Sequence, residues 1–146
     1  TKEVTDTLSV DVTGGEQDCD LALWKFAMAM RAGDVAQPDI CYLGGICRTL
    51  KVVEMARKAG LPITPHAANL SMVTIFTLHL LGAIPNAGPY LEFSIEGDDY
   101  YPWQRGLFLQ DIVARDGHVQ IPDGPGWGID INPKWLETAK YQKSEV

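Results

Sequence analysis

Four ionisable side chains recur along the chain at a nearly constant interval: Glu16, Asp39, His66 and Glu92, separated by 23, 27 and 26 positions. Carboxylates and an imidazole are the residue types of general acid–base chemistry and of hard-metal ligation. Taken singly, each has an ordinary structural explanation. Glu16 reads as a solvated loop acid in front of a helix, where the macrodipole favours it. Asp39 follows Pro38 and reads as a turn acid, and His66 follows Pro65 and reads as a loop histidine. Glu92 alternates with Leu91 and Phe93 and reads as a solvent-facing strand residue. Their shared period is what argues for a common site. The other candidates are plainer: His79, inside LHLL, is expected to pack in a core, His118 to be exposed near a turn, and Asp98 and Asp99 to be solvated. The Gly44–Gly45 pair resembles a phosphate-cradling turn, a weak signal by itself.

The elements that must position these residues also repeat. Residues 7–12 (TLSVDV) are rich in β-branched side chains and stop at Gly14–Gly15, which predicts a strand. Residues 20–32 carry Leu21, Trp24, Met28 and Arg31 at helical spacing, with Asp18 or Asp20 as N-cap and Gly33 as the stop. The pattern recurs as a strand over 35–43, a turn at Gly44–Gly45 and a helix over 49–59 ended by Gly60. A short strand over 61–64, a helix over 70–81 ended by Gly82 and a fourth strand over 90–95 (YLEFSI) follow. Strands alternating with helices predict βαβ units and a parallel sheet of the α/β class. The period suits a (β/α) barrel, in which catalytic side chains stand at the C-terminal ends of strands. Each of the four candidates falls at such an end.

Four strands make only half a barrel, and a half-barrel leaves open parallel edges. Either the chain self-associates, or another half completes it. From Asp98 the character changes: DDYYPWQRGLF is a polar, aromatic loop, and 112–121 around Asp116–Gly117 predicts a hairpin. PDGPGWG is a turn, and Pro133 at a helix N1 position starts a short helix over 134–141.

The 146 residues suffice for a domain with a real core, and an apolar share of 46% with 21% charged residues is that of an ordinary globular protein. A net charge of −7 with no Lys/Arg-rich run argues against nucleic acid or an anionic membrane as a partner. No apolar run approaches the roughly 20 residues that span a bilayer, and TKEVTDTLSV lacks the features of a signal peptide. Cys19, Cys41 and Cys47 are odd in number and lack CxxC spacing, which argues against a zinc knuckle or disulfide framework and for reduced thiols in the cytoplasm. The chain begins with Thr1, which suggests processing or residues removed upstream.

Several stretches carry a resemblance to a known family: VTGGEQ, VAQPDICYLGGICRTLKVVEMARKAGLPITPHAANLS, PNAGPYLEFSIE and PGWGIDINPKWL. In these the chain resembles the mandelate racemase subgroup of the enolase superfamily (the mandelate racemase/muconate lactonizing enzyme family), from the fifth barrel strand to the C-terminus. The resemblance implies the C-terminal half of a (β/α)7β modified TIM barrel over 1–97. It implies a tail over 98–146 that packs on a capping domain outside this chain. It also implies roles. Glu16 matches a carboxylate ligand of Mg²⁺, and Asp39 and His66 match a dyad whose imidazole is the base. Glu92 matches the acid that hydrogen-bonds a substrate carboxylate as it becomes an enediolate.

Such chemistry is hard because the product of α-proton removal carries two negative charges on oxygen, which Mg²⁺ stabilises in this family. The family has two further metal carboxylates and often a Lys-x-Lys base on earlier strands, and none of these lies in this chain. This segment alone is therefore expected to bind metal weakly or not at all and to be inactive. The resemblance points to part of a Mg²⁺-dependent aldonate or aldarate dehydratase, a lyase acting on a small-molecule sugar acid, homo-oligomeric when full length. The alternatives are a racemase or epimerase of a 2-hydroxy acid and, in another class, a non-catalytic half-barrel that needs a partner chain.

Overall fold

The computed structural model describes residues 1–144, and the chain divides into two compact units between Ser94 and Ile95. The first unit is built from the predicted repeat, though its elements begin elsewhere at the N-terminus. Residues Lys2–Thr7 form a short helix, α1, and the first strand, β1, is Thr13–Gly14. The β-branched run 7–12 thus lies mostly between the two. What pins it is tertiary: the Val12 carbonyl accepts from the N–H groups of Asp34 and Val35, and Val12 N–H donates to the Asp34 carboxylate at 2.9 Å. Composition favoured a strand there, but pairing with the next chain pass decides where the ladder begins.

Helix α2, Leu21–Ala29, starts at the Asp20 side chain, which accepts from Ala22 N–H at 2.8 Å. That bond satisfies one of the donors every helix start leaves orphaned. It ends before Arg31, a non-glycine residue at positive φ, and not at Gly33. Strand β2, Val35–Ala36, pairs in parallel with β1 in the register Thr13↔Val35 and Gly14↔Ala36. Helix α3, Ile46–Ala59, follows the Gly44–Gly45 turn and ends at Gly60, whose left-handed conformation is the common helix stop. Helix α4, Met72–Ala83, is capped by Ser71 and runs through Gly82.

Between and beyond these helices the parallel pairing continues as single bridges, Ala36↔Ile63 and Ile63↔Ala87. Four chain passes therefore lie side by side in sequence order. The fourth pairs at Ala87; residues 90–95, expected as a strand, form no ladder. Proline explains why the ladders are short. Pro38 and Pro65 are fully buried just beyond β2 and Ile63, and neither has an N–H to donate.

The core lies between the passes and helices α2 and α3, with Trp24, Leu43, Val52, Ala56 and Ile63 among its members. Leu43, Val52 and Ile63 are almost wholly buried, each worth about 1.5–3 kcal/mol in transfer free energy. The amphipathic helix α3 supplies Thr49, Val52, Val53 and Ala56 on one face. Polar residues there find local partners, as where Thr49 Oγ1 donates to the Gly45 carbonyl at 3.1 Å.

The second unit has the expected hairpin: β3, Ala114–Arg115, pairs antiparallel with β4, His118–Val119, around the Asp116–Gly117 turn. Both turn residues have positive φ, as a tight hairpin requires. A bridge between Phe108 and Ile131 leads to helix α5, Pro133–Thr138, capped by Asn132 with proline at its first turn. Asn132 Nδ2 and Trp135 Nε1 both donate to the Gly106 carbonyl, at 2.8 and 3.0 Å. His118 is exposed and Asp98 pairs with Arg105 at 3.0 Å, in line with their solvated positions.

Candidate active site

Three of the four predicted residues meet at one end of the parallel passes. Asp39 follows β2, His66 follows Ile63, and His66 N–H donates to the Pro38 carbonyl at 3.1 Å, which sets the two loops side by side. His66 Nδ1 then lies 2.8 Å from Asp39 Oδ2. Asp39 is nearly buried, with a side chain 7% exposed against 19% for His66. Its other oxygen, Oδ1, accepts from the backbone N–H groups of Cys41 and Tyr42 at 2.7 and 2.9 Å. An ionised carboxylate is an acceptor only, so Nδ1 donates to Asp39 and, in a neutral imidazole, carries the ring's one proton. The Nε2 lone pair is therefore left for an incoming proton.

Glu92 approaches that same nitrogen. Its Oε2 lies 3.9 Å from His66 Nε2, beyond hydrogen-bond distance but within ion-pair range once the imidazole is protonated. The same oxygen accepts from Ala67 N–H at 3.1 Å, which anchors a carboxyl group that is otherwise 41% exposed. His66 and Glu92 are thus carried by adjacent passes and face each other across the space in front of Nε2.

Glu16 is not joined to this cluster. It is half-buried in the turn after β1 and makes no hydrogen bond or ion pair among the described residues. Its turn is nevertheless well determined: Asp18 N–H closes it onto the Gly15 carbonyl at 3.0 Å, and Trp24 Nε1 donates to the Asp18 carbonyl at 2.8 Å. Gly15 has φ +104°, and a Cβ at that position would collide with the Trp24 ring. As to a metal, no group of three or more histidine, cysteine, aspartate or glutamate side chains able to hold an ion occurs among the described residues. Mg²⁺ demands near-octahedral oxygen coordination. One isolated carboxylate does not supply that, so the donor set of this chain does not by itself fit the ion.

Three residues that the sequence did not single out also shape the site. Arg48 on α3 donates through Nε to the Leu43 carbonyl at 2.5 Å and through Nη2 to the Cys19 carbonyl at 2.8 Å. It thereby ties the loop after β1 to the loop after β2. Tyr42 lays its ring nearly parallel to the His66 imidazole, with centroids 6.4 Å apart. Cys41 stands next to the dyad, where partial burial, and then the Asp39 charge, push its thiol pKa up. The Arg48 fork joins positions 29 and 5 residues away, a pairing that no local pattern announces.

Against proteins of known sequence and structure, residues 1–135 match the family described as enolase C-terminal domain-like. A Roseobacter denitrificans protein solved as a candidate racemase is 66% identical with a TM-score of 0.92, over 99% of this chain and 40% of that one. The L-talarate dehydratase of Polaromonas sp. JS666, solved with Mg and L-glucarate, is 26% identical with a TM-score of 0.76, over 96% of this chain and 36% of that one. Arabinonate dehydratase from Saccharolobus solfataricus is 31% identical over 80% of this chain and 31% of its own length. The chain thus spans 31% to 40% of the length of these relatives. It belongs to the mandelate racemase/muconate lactonizing enzyme family of the enolase superfamily, as that family's C-terminal domain.

Proposed function

We propose that this chain is the C-terminal part of a Mg²⁺-dependent acid-sugar dehydratase in which His66 removes the proton α to a carboxylate. The observation that carries the reading is the His66 imidazole, joined through Nδ1 to Asp39 at 2.8 Å and faced at Nε2 by Glu92 at 3.9 Å. Asp39 fixes the tautomer and stabilises the imidazolium that forms. Glu92, protonated beside a substrate carboxylate, donates a hydrogen bond that strengthens as that group becomes an enediolate. Loss of the β-hydroxyl completes the dehydration, with protonated His66 returning its proton to the leaving oxygen. Dehydratases of arabinonate and L-talarate among the relatives support the substrate class.

The same reading takes the four parallel passes as strands five to eight of a (β/α)7β barrel, with 1–97 in the barrel half and 98–146 as the tail on a capping domain. Glu16 is assigned as one metal ligand, with two more carboxylates on upstream strands. The complete enzyme is taken as a cytoplasmic homo-oligomer. A second reading, 1,1-proton transfer in a racemase or epimerase, is favoured by one observation: the 66%-identical Roseobacter denitrificans protein was solved as a candidate racemase. That reaction needs a second base on a strand outside this chain. Incubating the complete enzyme with Mg²⁺ and a panel of aldonic and aldaric acids separates the two. Release of a 2-keto acid supports dehydration; racemised substrate without keto product overturns it in favour of the racemase.

A further inference from the structure

The acid–base assignment leaves one neighbour of His66 without a part. The Tyr42 ring lies at 16° to the imidazole plane with centroids 6.4 Å apart, within the spacing of offset-stacked aromatic pairs. Tyr42 is 55% exposed, so its ring is not placed there by the core. What places it is the turn after β2, whose Tyr42 N–H donates to Asp39 Oδ1. The turn that locks the carboxylate therefore also carries the ring. Around His66 stand Asp39 at Nδ1, Glu92 toward Nε2 and the Tyr42 ring in a nearly parallel plane.

One hydrogen bond at Nδ1 fixes an edge of the imidazole but not its plane, because histidine χ2 is a broad torsion. A parallel aromatic plane removes that rocking freedom. We propose that Tyr42 is a positioning residue for His66, its ring holding the imidazole plane so that Nε2 faces the incoming α-carbon. The proposal rests on His66 being the base. It assigns the work to the aromatic ring and none to the phenolic hydroxyl.

The test compares Tyr42→Phe, Tyr42→Leu and His66→Asn in the complete enzyme, reading exchange of the substrate α-proton with solvent deuterium. Nuclear Overhauser contacts between the Tyr42 and His66 rings, measured in the 146-residue chain, provide an independent geometric readout. Tyr42→Leu is expected to lower kcat about three- to tenfold with KM held within about twofold, the size of a slight misorientation of the base. Tyr42→Phe should restore the wild-type rate, and the ring–ring contacts should be present. Should Tyr42→Leu not fold, Tyr42→Gln carries the same comparison.

Wild-type exchange in the variant lacking the ring, with His66→Asn inactive, would overturn the role of Tyr42 and leave the base assignment standing. Equal losses in Tyr42→Phe and Tyr42→Leu would overturn it too, by moving the effect to the hydroxyl. Retained exchange in His66→Asn would overturn the base assignment and this inference together.

Discussion

Replacing Asp39 by Asn changes one atom in a carboxylate that organises three donors. Oδ1 holds the Cys41 and Tyr42 amides, and Oδ2 holds His66 Nδ1. The asparagine carbonyl can still accept from the two amides, so its NH₂ must face His66. An NH₂ is a donor, so Nδ1 must become the acceptor and the ring proton must move to Nε2. The imidazole is then in the wrong tautomer, with its proton on the nitrogen that is to act as the base.

The expected loss is that of general-base catalysis, about 10²–10⁴-fold in kcat. Stability should fall by only about 1–3 kcal/mol, because charge-assisted bonds become neutral ones without leaving either amide unpaired. Solvent-deuterium exchange at the substrate α-carbon measures the first, and urea denaturation of the chain measures the second. An Asn variant that exchanges within about tenfold of wild type would refute the argument, since no tautomer consistent with this geometry leaves Nε2 free.

Three further outcomes follow from the surroundings of the site. Gly15→Ala places a Cβ 2.8 Å from Trp24 Cζ2 at a φ of +104°; it should cost about 2–4 kcal/mol in urea denaturation, from left-handed strain plus overpacking. Cys41, its thiol pKa raised by burial and by Asp39, should be alkylated more slowly than Cys19 and Cys47 near pH 8. That gap should narrow as pH rises, as rates by peptide mass spectrometry would report. Glu54 is lowered from its ordinary value of 4.5 to about 2, first by its hydrogen bond to Arg57. Because the folded value is depressed, its contribution is present above pH 4.5 and lost as pH falls toward 2. The stability difference from Glu54→Gln should follow that window, and it should shrink in high salt because the pair is exposed.

Local signals in the sequence place several element ends, although Gly33 and Gly82, expected as helix stops, do not end α2 and α4. Asp20 caps α2, Gly60 stops α3, Asp116–Gly117 turns the hairpin and Pro133 opens α5. Asp39 and His66 are legible because their shared period puts both at strand ends, which the structure brings together at 2.8 Å. The N-terminal strand was misplaced because β-branched composition says that a segment suits a sheet, while its register belongs to the partner strand. The same holds at 90–95, where alternation suggested a strand but pairing falls at Ala87. Arg48 and Tyr42 were invisible for another reason. Their roles exist only once loops far apart in sequence are brought together, and neither an exposed arginine on a helix nor a loop tyrosine has a pattern of its own.

The central claim is that His66 abstracts a proton α to a carboxylate, and solvent-deuterium incorporation with His66→Asn in the complete enzyme tests it most directly. The account predicts deuterium at the α-carbon of a sugar acid with the wild-type protein and loss of at least about a hundredfold in the variant, with the fold unchanged. Incorporation in the variant at more than about a hundredth of the wild-type rate would contradict it, and the base would have to be sought outside this chain.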